Sequence, residues 1–396
     1  MENKKENKNI FKKITENIGL SSFASALIAI FFGLLVGFIV MLLASPENAL
    51  EGFKLILVGG ARRVGDVFYF ATPILMTGLA VGFAFKMGLF NIGASGQYTM
   101  GMFFSLYVAF MWDLPAGIHW IVAILAGMVG GMLWGLIPGI FKALLNVNEV
   151  ITSIMFNYIG MFLVDMWIKG SATMYKSSVT RTNYIPEKSQ IPSLGIAGSN
   201  VNFGIILAII IGIIIYVVLE KTTFGYELKA SGFNKDASEY AGMKGKRNII
   251  LTMVIAGGFA GLGGAFAILS PSGIAGSSVT YEPINIIATA GFDGIAVALL
   301  GNSHPIGIIF SAFFISYIQR GGTLASLVGY KPEIIDLVVA VIIYFSAFAA
   351  IMKTGLTRFI KKRFKEDGND NNINSKDEVG NEEEKKLTDI NKKEAE

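Results

Sequence analysis

Three groups of polar residues sit in or beside strongly apolar runs, and their types suit hydrogen bonding to a solute more than catalysis. The first is the run Phe90-Asn91-Ile92-Gly93-Ala94-Ser95-Gly96-Gln97, between apolar segments at about 66–85 and 98–112. Asn91 and Gln97 can satisfy the backbone groups of a broken helix, and Gly93 lets backbone approach backbone or ligand closely. The run reads either as a hinge beside a translocation path or as a tight turn with small residues for helix packing. The second group is Glu149, Ser153 and Asn157, which recur every four residues and so share one helix face, with Thr152 beside them. The third is Asn285, Thr289 and Asp293, again at four-residue spacing. A carboxylate or polar stripe inside an apolar span must face a partner or a water-filled path. Interhelical glue by Ser, Thr and Asn is the structural alternative.

The rest of the inventory excludes several chemistries. There are no cysteines, so disulfides and thiol catalysis are ruled out. The two histidines, His119 and His304, each fall near an expected helix end, where interfacial placement accounts for them. No cluster of His, Cys and acidic residues has metal-ligand spacing, so neither a metal nor another cofactor is expected. No GxxxxGK[ST] run is present, so any ATP must be hydrolysed by another chain. The expected spans hold no lysine or arginine, which argues against a phosphorylated solute.

These groups must be positioned by membrane helices. Of 396 residues, 53% are hydrophobic and 16% charged, and the mean hydropathy is +0.57. Such values belong to polytopic membrane proteins, in which about 20 apolar residues cross a bilayer. The apolar runs predict an all-α fold of about ten transmembrane helices with a re-entrant or broken segment near 88–97. The spans are placed at about 23–43, 66–85, 98–112, 118–141, 149–168, 203–219, 249–269, 283–300, 305–319 and 333–352. Residues 44–65 read as an interfacial helix. A basic arm (1–19) precedes a permease-like membrane domain (20–352), and a basic, then polar and disordered, tail (353–396) follows. With both termini cytoplasmic, nineteen basic residues fall inside and nine outside, which favours that orientation in a cell membrane.

The loop 220–248 stands apart from the spans. It is charged and glycine-punctuated, and Ala237, Tyr240, Ala241 and Met243 give it a small amphipathic face. Such a face suits docking onto a soluble partner.

Four stretches in the same order resemble the membrane permeases of ATP-binding cassette (ABC) importers. They are Asn91–Gln97, the Asn148–Met155 run with Asn157 and Tyr158, the 225–243 loop, and Gly291–Gly301 with its Gly-Phe-Asp-Gly start. The chain is similar to the family that includes ribose and branched-chain amino acid permeases, over about residues 60–350. Within that family it resembles the nucleoside-uptake subgroup served by basic-membrane-protein lipoproteins. That subgroup usually carries glutamate where this chain has Ser95. The resemblance implies a path between two permease subunits, the second a related but different chain. It implies a cytoplasmic ATPase seated on a coupling element that includes Gly225, Leu228, Ala230, Gly232, Asn234, Ala237, Tyr240, Ala241 and Gly242. It also implies an extracytoplasmic substrate-binding lipoprotein, with lipid around the bundle and no nucleic-acid partner. The function expected is therefore uptake of a nucleoside. A sugar or branched-chain amino acid permease, or an ion-coupled transporter using Glu149 and Asp293, is the alternative.

Overall fold

The computed structural model describes residues 18–196, 199–272 and 277–347. Most of the basic arm, and the chain from residue 348 onward with its polar tail, lie outside the described residues. By internal contacts the chain divides into two units, residues 33–343 and residues 1–32 with 344–396. In the described part of the second unit, Phe32 stacks on Phe345 with ring centroids 6.4 Å apart.

The larger unit is almost entirely helical. The described helices are α1 (Ile18–Ala44), α2 (Ala49–Arg62), α3 (Val64–Lys86), α4 (Ala94–Met111), α5 (His119–Leu145), α6 (Glu149–Lys169), α7 (Gly204–Lys221), α8 (Thr223–Phe233), α9 (Lys235–Tyr240), α10 (Gly245–Ile268), α11 (Ala290–Leu300), α12 (Pro305–Ala325) and α13 (Pro332–Ala347). A two-stranded antiparallel ribbon, β1 (Tyr175–Lys176) with β2 (Arg181–Thr182), sits in the 170–203 loop. Among the described residues, α3, α5, α6, α7 and α10 are long and apolar enough to cross a membrane. They are apolar on nearly all sides, as helices are when one face meets protein and another meets hydrocarbon.

The centre of the unit is built on glycine. Gly131 on α5 lies against the Gly257 carbonyl of α10, and Gly101 on α4 lies against Gly261. A methyl group at Gly131 would stand 2.1 Å from that carbonyl oxygen, so the backbones approach as closely as bare glycine allows. This is the close small-residue packing that Gly257 and Gly261 predict. α12 runs beside α3 in the opposite sense. Ser316 Oγ donates to the Val67 carbonyl at one end, and Gly82 lies against Ile308 at the other.

Three boundaries depart from the sequence reading. The eighth span was expected over 283–300, but only residues 290–300 are helical, and Asn285 has a left-handed backbone with φ of 58°. Asn285, Thr289 and Asp293 therefore do not share a helix face, because the four-residue rule holds only on a continuous helix. The ninth span continues to Ala325, which brings Arg320 into the bundle. Residues 49–62, expected to be interfacial, form a helix held along α12, where Gly59 meets Gly321 and Gly60 meets the Tyr317 ring. His119, at the start of α5 as expected, does not face out of the bundle. It is fully buried, and its Nε2 hydrogen-bonds to the Val108 carbonyl at 3.0 Å.

Candidate functional site

Two interruptions of the helical bundle meet halfway along α3. The first is the chain between α3 and α4, residues 87–93. It is pinned by amides. Asn91 and Gln97 exchange two side-chain hydrogen bonds of 2.9 and 3.0 Å. Asn157 Oδ1 accepts from the Gly96 N–H at 2.8 Å, and its Nδ2 donates to the Ile92 carbonyl at 3.0 Å. Gly93 lies against Ser153, Trp134 Nε1 donates to the Phe156 carbonyl, and Thr152 Oγ1 donates back to Asn148. Non-helical backbone inside a membrane bundle needs such partners, and these residues supply them.

The second interruption is the chain between α10 and α11. Its residues 281–285 are tied to α6 by Asp165. One oxygen of Asp165 accepts from the Tyr281 hydroxyl at 2.6 Å and the other from the Asn285 N–H at 2.7 Å. The two interruptions are joined where the first turns of α4 and α11 touch. Ser95 Oγ donates to the Ala288 carbonyl, Thr77 Oγ1 donates to the Ala290 carbonyl, and a side chain at Gly291 would collide with Ser95. Thus Asn91, Gly93, Gln97, Asn157 and Asn285 serve the two breaks, while Thr152 bonds back into α6 and Ser153 packs against Gly93 with its hydroxyl unpaired among the described residues.

Above that junction lies a cavity of about 700 Å³ between α3, α4, α10, α11, α12 and α13. Its polar wall carries Thr289, Asp293, Gln319 and Asp336, with Arg320 and Tyr69 farther round. The Gln319 amide lies beside the Asp293 carboxyl, and Asp336 is the charge that acts on it. The Arg320 guanidinium covers the Phe70 ring at 3.7 Å, a cation–π contact. Towards α8 the space closes, because Gly294 sits on Thr77 and Gly78 on Val297. Of the ten residues expected to border a solute path, Thr289 and Asp293 line this cavity. Glu149 does not. It pairs with Lys142 at 2.8 Å where α5 ends and α6 begins.

Three polar residues lie outside the sequence reading: Arg320 and Asp336, which line the cavity, and Asp165, which ties the second break. Arg320 was assigned to a loop because the apolar run breaks at Gln319. Asp336 stands four positions into the last described helix, and Asp165 stands inside α6. Both are acids within apolar runs and were open to the same argument as Asp293. Arg320 also corrects the expectation that the spans hold no basic residue.

At the other end of α3, α8 and α9 form a separate projection. Thr222 and Asn234 cap their N-termini through side-chain oxygens. The inward side anchors it: Leu228 is fully buried, Gly225 lies on the end of α7, and Gly232 lies on the Lys86–Met87 backbone. The outward side is bare and mixes aromatic residues with the charged Lys235, Asp236 and Glu239. Phe233 and Tyr240 are each 95% exposed, with Asn234, Ala237, Ala241 and Gly242 around them. Ala230 lies between the two sides and is half-buried. His304 stands at the same end, and burial, helped by the nearby Lys86 charge, holds its pKa below the usual histidine value. On the opposite end, Lys188 pairs with Asp113, which lowers the Asp113 pKa.

Among the described residues, no group of three or more His, Cys, Asp or Glu side chains is placed to hold a metal.

Residues 63–347 match the family model described as the permease component of the branched-chain amino acid transport system. The nucleoside ABC transporter permease protein NupB of Lactococcus lactis subsp. cremoris is 38% identical over 84% of this chain and 92% of its own. The guanosine ABC transporter permease protein NupP of Bacillus subtilis is 36% identical over 87% of this chain and 98% of its own. A second Bacillus subtilis chain, the guanosine ABC transporter permease protein NupQ, is 28% identical over 67% of this chain and 83% of its own. No solved structure matches the chain.

Proposed function

The chain belongs to this family of ABC permease components, and from that membership we propose that it is a membrane permease subunit of an ABC importer that carries nucleosides. The observation that carries the solute is the similarity, over nearly the whole chain, to permeases named for nucleosides and guanosine. The chain itself is a transport component, and the ATPase is a separate cytoplasmic subunit.

The cavity suits this solute. A nucleoside is neutral, with a flat base and a hydroxylated sugar. Aromatic surface and a few hydrogen-bonding side chains hold such a molecule, and pockets for small molecules run from about 300 to 1,000 Å³. Tyr69, Phe70 and Tyr98 supply aromatic surface, and Thr289, Asp293 and Gln319 supply polar groups. The solute path runs through this cavity and past the Ser95–Gly291 junction. Asn91, Gln97 and Asn157 act on the path by holding the junction. They need not touch the solute. Opening requires the Gly294–Thr77 and Gly78–Val297 contacts to part.

The exposed side of α8–α9 is the seat of the ATPase. Its bare Phe233 and Tyr240 need a partner, and Gly232 gives the projection a rigid contact with the end of α3, so a push on α8 reaches the cavity wall. Both termini and α8–α9 are cytoplasmic, in a bundle of about ten spans. The second permease chain is a related sequence, as NupP and NupQ are related chains of one organism. An extracytoplasmic lipoprotein delivers the solute to the Asp113–Lys188 side.

The test is uptake of radiolabelled guanosine, adenosine and uridine by cells carrying the whole transporter. ATP-dependent uptake of at least one nucleoside is expected. Uptake competed by leucine or ribose and by no nucleoside would overturn the assignment. Because the chain has no cysteine, single cysteines at residues 180 and 235 report orientation directly. They should label from opposite sides of the membrane.

A further inference from the structure

Two acids in this bundle have opposite situations. Asp165 has both oxygens occupied by Tyr281 and Asn285 and is a fastening of the fold. Asp293 stands one helix turn into α11, on the wall of the cavity, with the Gln319 amide beside it and Asp336 as its charged neighbour. The cavity lining holds two kinds of group. Asp293, Asp336, Gln319 and Thr289 can hydrogen-bond. Phe70, under the Arg320 guanidinium, and Tyr69 offer aromatic surface.

A nucleoside has the same two kinds of surface. Its base is a flat π-surface that stacks on aromatic rings and guanidinium planes. Its sugar carries two neighbouring hydroxyls, and a carboxylate can accept from both, the pairing by which acidic residues hold ribose in nucleotide-binding folds. Gln319 would steady the carboxyl in that geometry, and its amide can serve the hydroxyl oxygens. Arg320, over the Phe70 ring, can only donate to a base edge.

Given the nucleoside reading above, we infer that Asp293, positioned by Gln319, reads the 2′- and 3′-hydroxyls of the ribose and makes the permease itself selective for ribonucleosides over 2′-deoxyribonucleosides. The base, stacked on the aromatic side chains, is read less closely. Asp293 is then a specificity-determining residue, and Gln319 is its positioning partner.

The test uses the whole transporter with its binding lipoprotein unaltered, so that any change belongs to the permease. Maximal uptake rates of guanosine, 2′-deoxyguanosine and uridine are compared. A charge-assisted hydrogen bond to the sugar corresponds to about a tenfold preference. In Asp293→Ala the ratio of guanosine to 2′-deoxyguanosine should fall about tenfold, while guanosine to uridine stays constant. Gln319→Leu should move the same ratio in the same direction by less. Asp293→Asn, which preserves shape and one acceptor, should restore part of it and serves if the alanine variant does not insert. An unchanged ratio of guanosine to 2′-deoxyguanosine in variants that still transport would overturn the inference. So would a shift in guanosine to uridine instead, which would mean that Asp293 reads the base edge. If the unaltered transporter takes up no nucleoside, the solute assignment falls first, and that result appears before any substitution is made.

Discussion

Asn157 is the residue on which the reading of the broken segment turns. It is 2% exposed and holds two backbone groups that have no other described partner, the Gly96 N–H and the Ile92 carbonyl. Asn157→Ala leaves both buried and unpaired. Each such group costs about 1–3 kcal/mol, so the loss is about 2–6 kcal/mol. In a chain of this size that corresponds to a drop of roughly 2–7 °C in melting temperature. Asn157→Asp keeps the acceptor for Gly96 and loses only the donor to Ile92, so it should lose about half as much if its charge is tolerated. The assay is thermal unfolding of the purified transporter, paired with uptake per correctly inserted molecule. The alanine variant should melt early and yet move the same nucleosides in the same order of preference. An unchanged melting temperature with altered solute preference would refute the argument, because Asn157 would then touch solute and not clamp the break.

Gly131→Ala places a methyl group 2.1 Å from the Gly257 carbonyl oxygen and should force α5 and α10 apart. The cost is about 1–3 kcal/mol or more, read as reduced insertion and early melting. Gly258→Ala, which meets only the flexible Met132 side chain at 3.0 Å, should be much milder. Tyr240→Ser with Ala237→Arg on the exposed side of α9 should abolish ATP-driven uptake while leaving membrane insertion and melting unchanged, and intact uptake would remove the ATPase seat. His304 has a folded pKa below its unfolded value of about 6.5, so its contribution is present above that pH and is lost as pH falls. The transporter should therefore melt earlier at pH 5.5 than at pH 7.5, and His304→Gln should reduce that difference. An equal difference in both proteins would show that other groups cause it.

The sequence by itself determined everything that depends on local composition and spacing. Apolar runs of about 20 residues mark the long helices because hydrocarbon requires them, and α3, α5, α6, α7 and α10 fall where those runs lie. Gly257 and Gly261 announce close packing because only small residues at four-residue spacing permit it. The polar run 91–97 announces an interruption because amides inside a membrane have a purpose. The order of its motifs was enough to indicate the permease family. Only the tertiary structure decided where each polar residue lies and what it bonds. Periodicity assumes a continuous helix, so it put Asn285, Thr289 and Asp293 on one face, whereas the chain becomes helical only at residue 290. Hydrogen bonding is resolved in space, so Asn91, Gln97 and Asn157, which read equally well as path or glue, turn out to be fastened to backbone and to each other. The cavity draws its walls from six helices, and no window on the sequence can place Arg320 and Asp336 in one cavity with Tyr98. Chain length limits how much of a helix hydropathy can see: α12 runs a full turn past its apolar stretch, and that turn carries Arg320. Side chains meet across the bundle through packing at distant sequence positions, and that is information a single strand of residues does not hold.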